Sequence, residues 1–269
     1  MAPCYSPGNK MSTTIEKSQS AAAKVAGWSC LLTMALVVFA NYGIYNRLII
    51  SGNVAETARN IVTHETQFRA VVVCFLIYCM GAVVQLAALY VILKPVNQGL
   101  ALMGAFFRFV FALTWIVVAL NLLGALRLLS GATYLQVFEA DRLQAWARLS
   151  LGGNFDAYYL GLPFFGLAST VCSYLWLKSN YIPKALAVFG VISSAWCVFC
   201  AFAFLIFPNF GKTVNWYWFD SPLGCFEMVL SFWLLFKGLR QPETTEPWRT
   251  SAAVDARLVG APAHRGGPQ

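Results

Sequence analysis

The sequence predicts an all-α protein: a six-helix transmembrane bundle with two short amphipathic helices in its outer connections. Three observations lead there. Charged residues make up 11% of the 269-residue chain against 59% hydrophobic, and the mean hydropathy is +0.63. A soluble domain carries about 25% charged residues, so this chain lacks the polar side chains to cover a water-facing surface. The apolar residues fall in blocks of roughly 20, the length that crosses ~30 Å of hydrocarbon. Within each block they run continuously instead of alternating, which excludes a β-barrel.

The elements follow in order. Residues 1–24 form a polar N-terminal tail carrying Lys10, Lys17 and Lys24, and Met11 offers a second start beside Met1. The first apolar run, 25–46, is longer than the apolar core of a cleaved signal and reads as a retained helix. Further spans are expected over 70–93, 99–126, 154–177, 185–207 and 221–239, so that 25–239 is one membrane domain. Residues 240–269, rich in Pro, Thr, Arg and Gly, read as a disordered cytoplasmic tail.

Three longer connections lie on one side. GNVAETARNIVTHETQFR has Asn53 followed three residues on by Glu56, a helix-start pairing. Val54, Ala58, Ile61, Val62 and Phe68 then share a helical face. TYLQVFEADRLQAWARLSL places Leu135, Phe138, Trp146 and Leu149 on a face interrupted by Arg142. Both segments are expected to lie on the outer membrane surface or to lid the bundle. NWYWFDSP groups Trp216, Tyr217, Trp218 and Phe219 as an interfacial aromatic anchor. Ser221 and Pro222 suit the N-cap and first position of the last helix. Asp156 and Asp220 are expected at the outer N-termini of the fourth and sixth helices, where the helix dipole favours carboxylates.

The net charge of +8 is a matter of topology. The short connections LKPVNQG and LKSNYIPK carry lysine. With them, the two tails place eleven Lys and Arg on one side against seven on the other. The positive-inside rule then puts both termini in the cytoplasm. No nucleic-acid-binding motif accompanies the basic charge. The expected surroundings are the lipid bilayer, with a lipophilic small molecule as a further ligand class.

Two charged residues fall deep inside spans. Arg108 lies ten residues from Gln98 at the start of the third span. Glu227 lies ten residues from Lys237 at the end of the sixth. Each is ~15 Å from the same boundary at ~1.5 Å per residue. An intramembrane charge costs ~2.5–3.5 kcal/mol on insertion scales, so it needs a partner or a cavity. An Arg108–Glu227 contact is therefore expected. Glu227 is the candidate acid/base, and Arg108, Glu227 and Asn121 are the candidate binding residues. Asn41, Gln85, Tyr78 and Tyr174 are further polar groups in spans, of the kind that hydrogen-bond between helices.

Other chemistries have little to stand on. Seven of the eight cysteines lie in apolar runs, where a thiol behaves as a small hydrophobe. The Cys197–Cys200 pair sits mid-span, away from the electropositive, partly exposed setting that reactive thiols need. The two histidines, His64 and His264, fall outside the spans, so neither a haem ligand nor a metal cluster is expected. No phosphate-binding loop or dinucleotide fingerprint occurs, and no cofactor is expected. GLPFFG, residues 161–166, reads as a site of close helix packing or a kink.

The blocks GNVAETARNIVTHETQFR, LKPVNQGLALMGAFFR, Arg108 to Asn121, YLGLPFFGL, LKSNYIPKALAVFG and EMVLSFWLLFKG, in that order, resemble the domain-of-unknown-function 4386 family of bacterial polytopic membrane proteins. The resemblance spans about residues 25–239. It implies a multi-helix protein of the bacterial inner membrane and supplies no activity. Arg108, Asn121 and Glu227 match polar positions of the family pattern. The histidines that the family often carries near the start of the fourth span and after the GLPFFGL block are replaced here by GGNFDAYYL and ASTVCSY.

Three function classes remain open on this reading. They are a structural or regulatory protein acting through membrane partners, a carrier of a small or lipophilic solute, and an intramembrane enzyme on a lipid-like substrate. In the last, Glu227 would be the acid/base and Arg108 would steer an anion.

Overall fold

A computed structural model describes residues 16–207, 209–210, 214 and 217–240. The expected tails therefore lie largely outside the described residues, as does Trp216 of the aromatic anchor. Six helices are long and apolar enough to span a membrane: α1 (Lys17–Leu48), α3 (Glu65–Leu93), α4 (Gln98–Leu129), α5 (Ala140–Ser179), α6 (Lys184–Ile206) and α7 (Tyr217–Phe236). One further helix, α2 (Val54–Thr63), lies between the first two. No strand occurs among the described residues.

The six spans form a closed ring in chain order. Each packs on its sequence neighbours, and α7 returns to α1. The ring closes where Gly27 of α1 meets α7. A Cβ at Gly27 would lie 2.9 Å from the Ser231 carbonyl oxygen and 2.7 Å from Leu235 Cγ. At the end that carries Lys94, Lys178 and Lys237, the lysine side, Gln19 ties α1 to α3. Its side chain accepts from the Glu16 N–H at 3.1 Å and donates to the Ile92 carbonyl at 3.1 Å. Asn97 caps α4 by accepting from the Leu100 N–H at 2.9 Å. Asn180 ends α5 in the left-handed region (φ 55°), which asparagine tolerates because its short polar side chain bonds locally.

The far side is more elaborate. Asn53 caps α2 as expected, accepting from the Glu56 N–H at 3.0 Å and donating to the Glu56 carboxylate at 3.0 Å. Ala58 and Ile61 face the bundle, whereas Val54 and Val62 are exposed. Phe68, fully buried, belongs to α3, because the chain turns at His64. Thr57 joins the inward face in place of Val54. Its hydroxyl accepts from the Ile50 N–H at 3.0 Å and so satisfies the backbone entering α2. Asn53→Ala should cost ~1 kcal/mol locally. The check is amide exchange that accelerates across α2 while α4 keeps its protection.

The second outer segment is helical from Ala140, but it continues into the fourth span without a break, giving a 40-residue helix. The stripe turned to the bundle is Ala147, Leu151 and Asn154. Phe138, Trp146 and Leu149 are exposed, with the first two in edge-to-face contact at 5.2 Å. Asp156 therefore sits well inside a helix, on its exposed face, and not at a helix start.

The last span also starts earlier than its Ser-Pro signal suggests. It begins at Tyr217, with Pro222 inside it. Proline has no N–H, so the carbonyl four residues back loses its helical donor. That carbonyl belongs to Trp218, and it accepts instead from the Trp196 indole N–H of α6 at 2.7 Å. The α6 donor thus satisfies a helix position that would otherwise discourage the extra turn. Within the expected aromatic anchor, Trp218 is exposed while Phe219 is core.

Glycines set the spacing around Pro163 in α5. A Cβ at Gly161 would lie 2.5 Å from Thr114 Oγ1 of α4, and one at Gly166 would lie 3.1 Å from the Ser194 carbonyl of α6. The GLPFFG stretch is thus where α5 presses closest on both neighbours.

Candidate functional site

The core divides into two apolar clusters. One fills the far half among α1, α3, α4 and α5. The other is built largely from α5, α6 and α7. Phe165 and Tyr158 pack against both. Close to this junction lie the two intramembrane charges.

Arg108 of α4 and Glu227 of α7 form an ion pair, through Arg108 Nη2 and Glu227 Oε1. Their side chains are 5% and 8% exposed, so the pair is sealed from its surroundings. A third helix joins it. Ser169 of α5 accepts from Arg108 Nη2 at 3.3 Å and donates to Glu227 Oε1 at 3.2 Å. A fourth contributes Cys30 of α1, whose thiol approaches Glu227 Oε2 at 3.9 Å. The guanidinium carbon lies 5.2 Å from the centre of the Phe165 ring, a cation–π contact. One carboxylate therefore gathers donors from α1, α4 and α5 around α7. In a medium without water, each such contact replaces solvation the charges have lost.

A chamber of about 20 Å³ adjoins the pair, lined among others by Gln85, Cys172, Trp176 and Ser231. That is room for about one water molecule. Arg108 Nε has no hydrogen-bond partner among the described residues.

The matched depths of Arg108 and Glu227 thus lead to a direct contact. Ser169 obeys the same arithmetic, because it lies ten residues from Ser179 at the lysine-side end of α5. A search for any hydroxyl at that depth would have found it. Cys30 carried no such signal, since a thiol in an apolar run reads as packing.

Asn121 lies elsewhere. It is thirteen residues along α4 from Arg108, ~20 Å by helical rise. There it packs on α5: a Cβ at Gly153 would sit 3.2 Å from its Nδ2, and Ser150 Oγ donates to its carbonyl at 2.7 Å. Gln85 reaches the chamber. Tyr78 stacks obliquely on Trp115 at 4.4 Å, Tyr174 is half exposed, and Asn41 donates to the Val37 carbonyl of its own helix at 3.1 Å.

A second carboxylate faces inward seven residues before Glu227. Asp220 accepts a hydrogen bond from the Tyr158 hydroxyl. Cys197 and Cys200 are fully buried free thiols packed as core. No cluster of three or more metal-ligating side chains occurs among the described residues.

A ring of six apolar helices closed around a sealed ion pair defines a polytopic membrane protein. The chain belongs to the family described as domain of unknown function, DUF4386, whose model matches residues 25–238. No curated protein and no solved structure matches it.

Proposed function

We propose that this is a structural or regulatory protein of the bacterial inner membrane, acting through neighbours in the bilayer, with both termini in the cytoplasm. The observation that carries this reading is the filled core around Arg108 and Glu227. A carrier needs a cavity that opens to both faces, and an enzyme on a lipid-like substrate needs an elongated one. The chamber beside the pair is about 20 Å³. In this reading the pair works as a latch, holding α7 to α4, α5 and α1. The orientation rests on the distribution of lysine and arginine, eleven against seven.

The test is genetic complementation. A neutral double variant, Arg108→Met with Glu227→Met, keeps a packed core but has no acid and no cation. It should restore the phenotype lost on gene deletion, whereas Glu227→Met alone should not, because it strands a buried arginine. A double variant of normal membrane abundance that fails to complement would overturn the reading in favour of chemistry or carriage at Glu227.

A further inference from the structure

The two ends of the bundle handle their positive charge differently. On the far side Arg59, Arg69 and Arg142 each pair with a glutamate close by in the chain, Glu56, Glu65 and Glu139, at 4.0, 2.7 and 3.2 Å. At the lysine-side end no lysine or arginine forms an ion pair among the described residues. Every described lysine lies there, and the sole described carboxylate at that end is Glu16, at the start of α1.

Four of these cations converge. Lys178 and Lys184 flank the α5–α6 turn, each three residues from Tyr181. The chain leaving α7 docks onto that turn, where the Arg240 N–H donates to the Tyr181 carbonyl at 2.8 Å. Lys237 lies three residues before Arg240. Three residues reach at most ~11 Å, so all four cations belong to the surroundings of one backbone hydrogen bond. All four residues are exposed.

The place is also anchored. The Arg240 guanidinium carbon lies 4.9 Å from the centre of the Trp233 ring, a contact that holds a cation without neutralising it. Trp233 is one turn further into α7 than Lys237, so the guanidinium is drawn back along the helix towards the bilayer. Further along the same two helices the surface is apolar: Val188 and Ile192 of α6 and Phe232 and Phe236 of α7 are exposed. A corner of converged charge thus sits above a surface suited to acyl chains.

We propose that this corner binds an anionic phospholipid of the adjoining leaflet whose headgroup carries two phosphates. Phosphate oxygens accept from the lysine ammoniums and the arginine guanidinium in charge-assisted hydrogen bonds. A single phosphodiester would balance one cation of the four. Two phosphates on a short linker can each bridge a cation of the α5–α6 turn and one from the end of α7. Basic pockets at helix ends recognise such headgroups at close quarters. The bound lipid clips the end of α7 to the turn and reinforces the Tyr181–Arg240 contact. The proposal depends neither on the latch nor on which side of the membrane the lysine end faces.

The experiment titrates the full chain in a non-ionic detergent with cardiolipin, phosphatidylglycerol or phosphatidylethanolamine, and native mass spectrometry reads the bound lipid. Cardiolipin should bind most tightly, one molecule per chain. Lys178→Gln with Lys237→Gln should weaken it about thirtyfold, at about fivefold for each surface cation. Lys184→Gln with Lys237→Gln should do the same and serves if the first pair misfolds. Lys17→Gln with Lys94→Gln removes equal charge at the other corner, where Gln19 of α1 bonds the Ile92 carbonyl of α3, and should leave binding unchanged. Deacylated cardiolipin should not displace the lipid. Displacement by it at equal concentration would make the ligand a soluble phosphate and overturn the proposal. Equal affinity for cardiolipin and phosphatidylglycerol would also overturn it. So would equal weakening by substitutions at the two corners, which is the mark of diffuse charge attraction, or no weakening by either pair at the α5–α6 turn.

Discussion

Replacing Glu227 by Gln is expected to destabilise the bundle by about 3–5 kcal/mol, the loss found when one member of a buried ion pair is removed. The reason lies in what remains. Arg108 keeps its charge and is 5% exposed, so no water can replace the carboxylate. Of the two other donors on Glu227, Ser169 bonds Oε1 and Cys30 bonds Oε2, so an amide keeps an acceptor for only one of them. Most of the cost falls on the arginine. Arg108→Met should cost a comparable amount by leaving the carboxylate alone. The double variant should recover most of the loss, since an apolar replacement of a whole buried pair is often close to neutral. The check is a double-mutant cycle of thermal unfolding in detergent, alongside membrane abundance. A coupling energy near zero, or single variants as stable as the parent, would mean that the pair holds nothing.

The second large effect is expected at the seam of the ring. Gly27→Leu should cost upwards of ~3 kcal/mol, the upper range for overpacking a dense interior. Even a Cβ at this position would meet the Ser231 carbonyl oxygen at 2.9 Å. A backbone atom cannot rotate away as a side-chain tip can. Moreover, Ser231 Oγ donates to the Glu227 carbonyl at 2.7 Å, one turn from the ion pair. Forcing α1 from α7 would therefore also draw Cys30 from Glu227. The corresponding change at Gly52, where nothing lies within 4 Å of the added Cβ, provides a contrast of another kind: its φ of 81° strains the backbone without any crowding. Disulfide trapping between cysteines introduced on α1 and α7 would report the separation: the Gly27 variant should trap far more slowly than its parent.

How much of this was legible beforehand varies with the physical cause. Membrane spans announce themselves through length and continuity, and the Arg108–Glu227 contact followed from two depths and the cost of isolated charge in lipid. Asn53 was legible because a cap is a local device. What escaped were features set by a distant part of the chain. The early start of α7 depends on Trp196 supplying the hydrogen bond that Pro222 cannot, which no local pattern around Ser221 reveals. The stripe of Trp146 and Leu149 was expected on the membrane surface or over the bundle, because apolar periodicity does not say which side a helix presents; it is exposed. Asn121 looked like a companion of Arg108 because both are polar residues of one span. Thirteen residues of helix place it against α5 instead.

The length of α5 has a mechanical consequence. From Ala140 to Pro163 is ~35 Å of helix, and from Pro163 to Ser169 is ~9 Å. The glycines at 161 and 166 clamp the rod between its two neighbours at the proline. The geometry is that of a lever with its fulcrum near one end. A sideways push of ~4 Å on the far tip would arrive at Ser169 as ~1 Å in the opposite direction. That is enough to break a 3.2 Å hydrogen bond to Glu227. Whatever grips the tip of α5 would hold a handle on the charge at its heart.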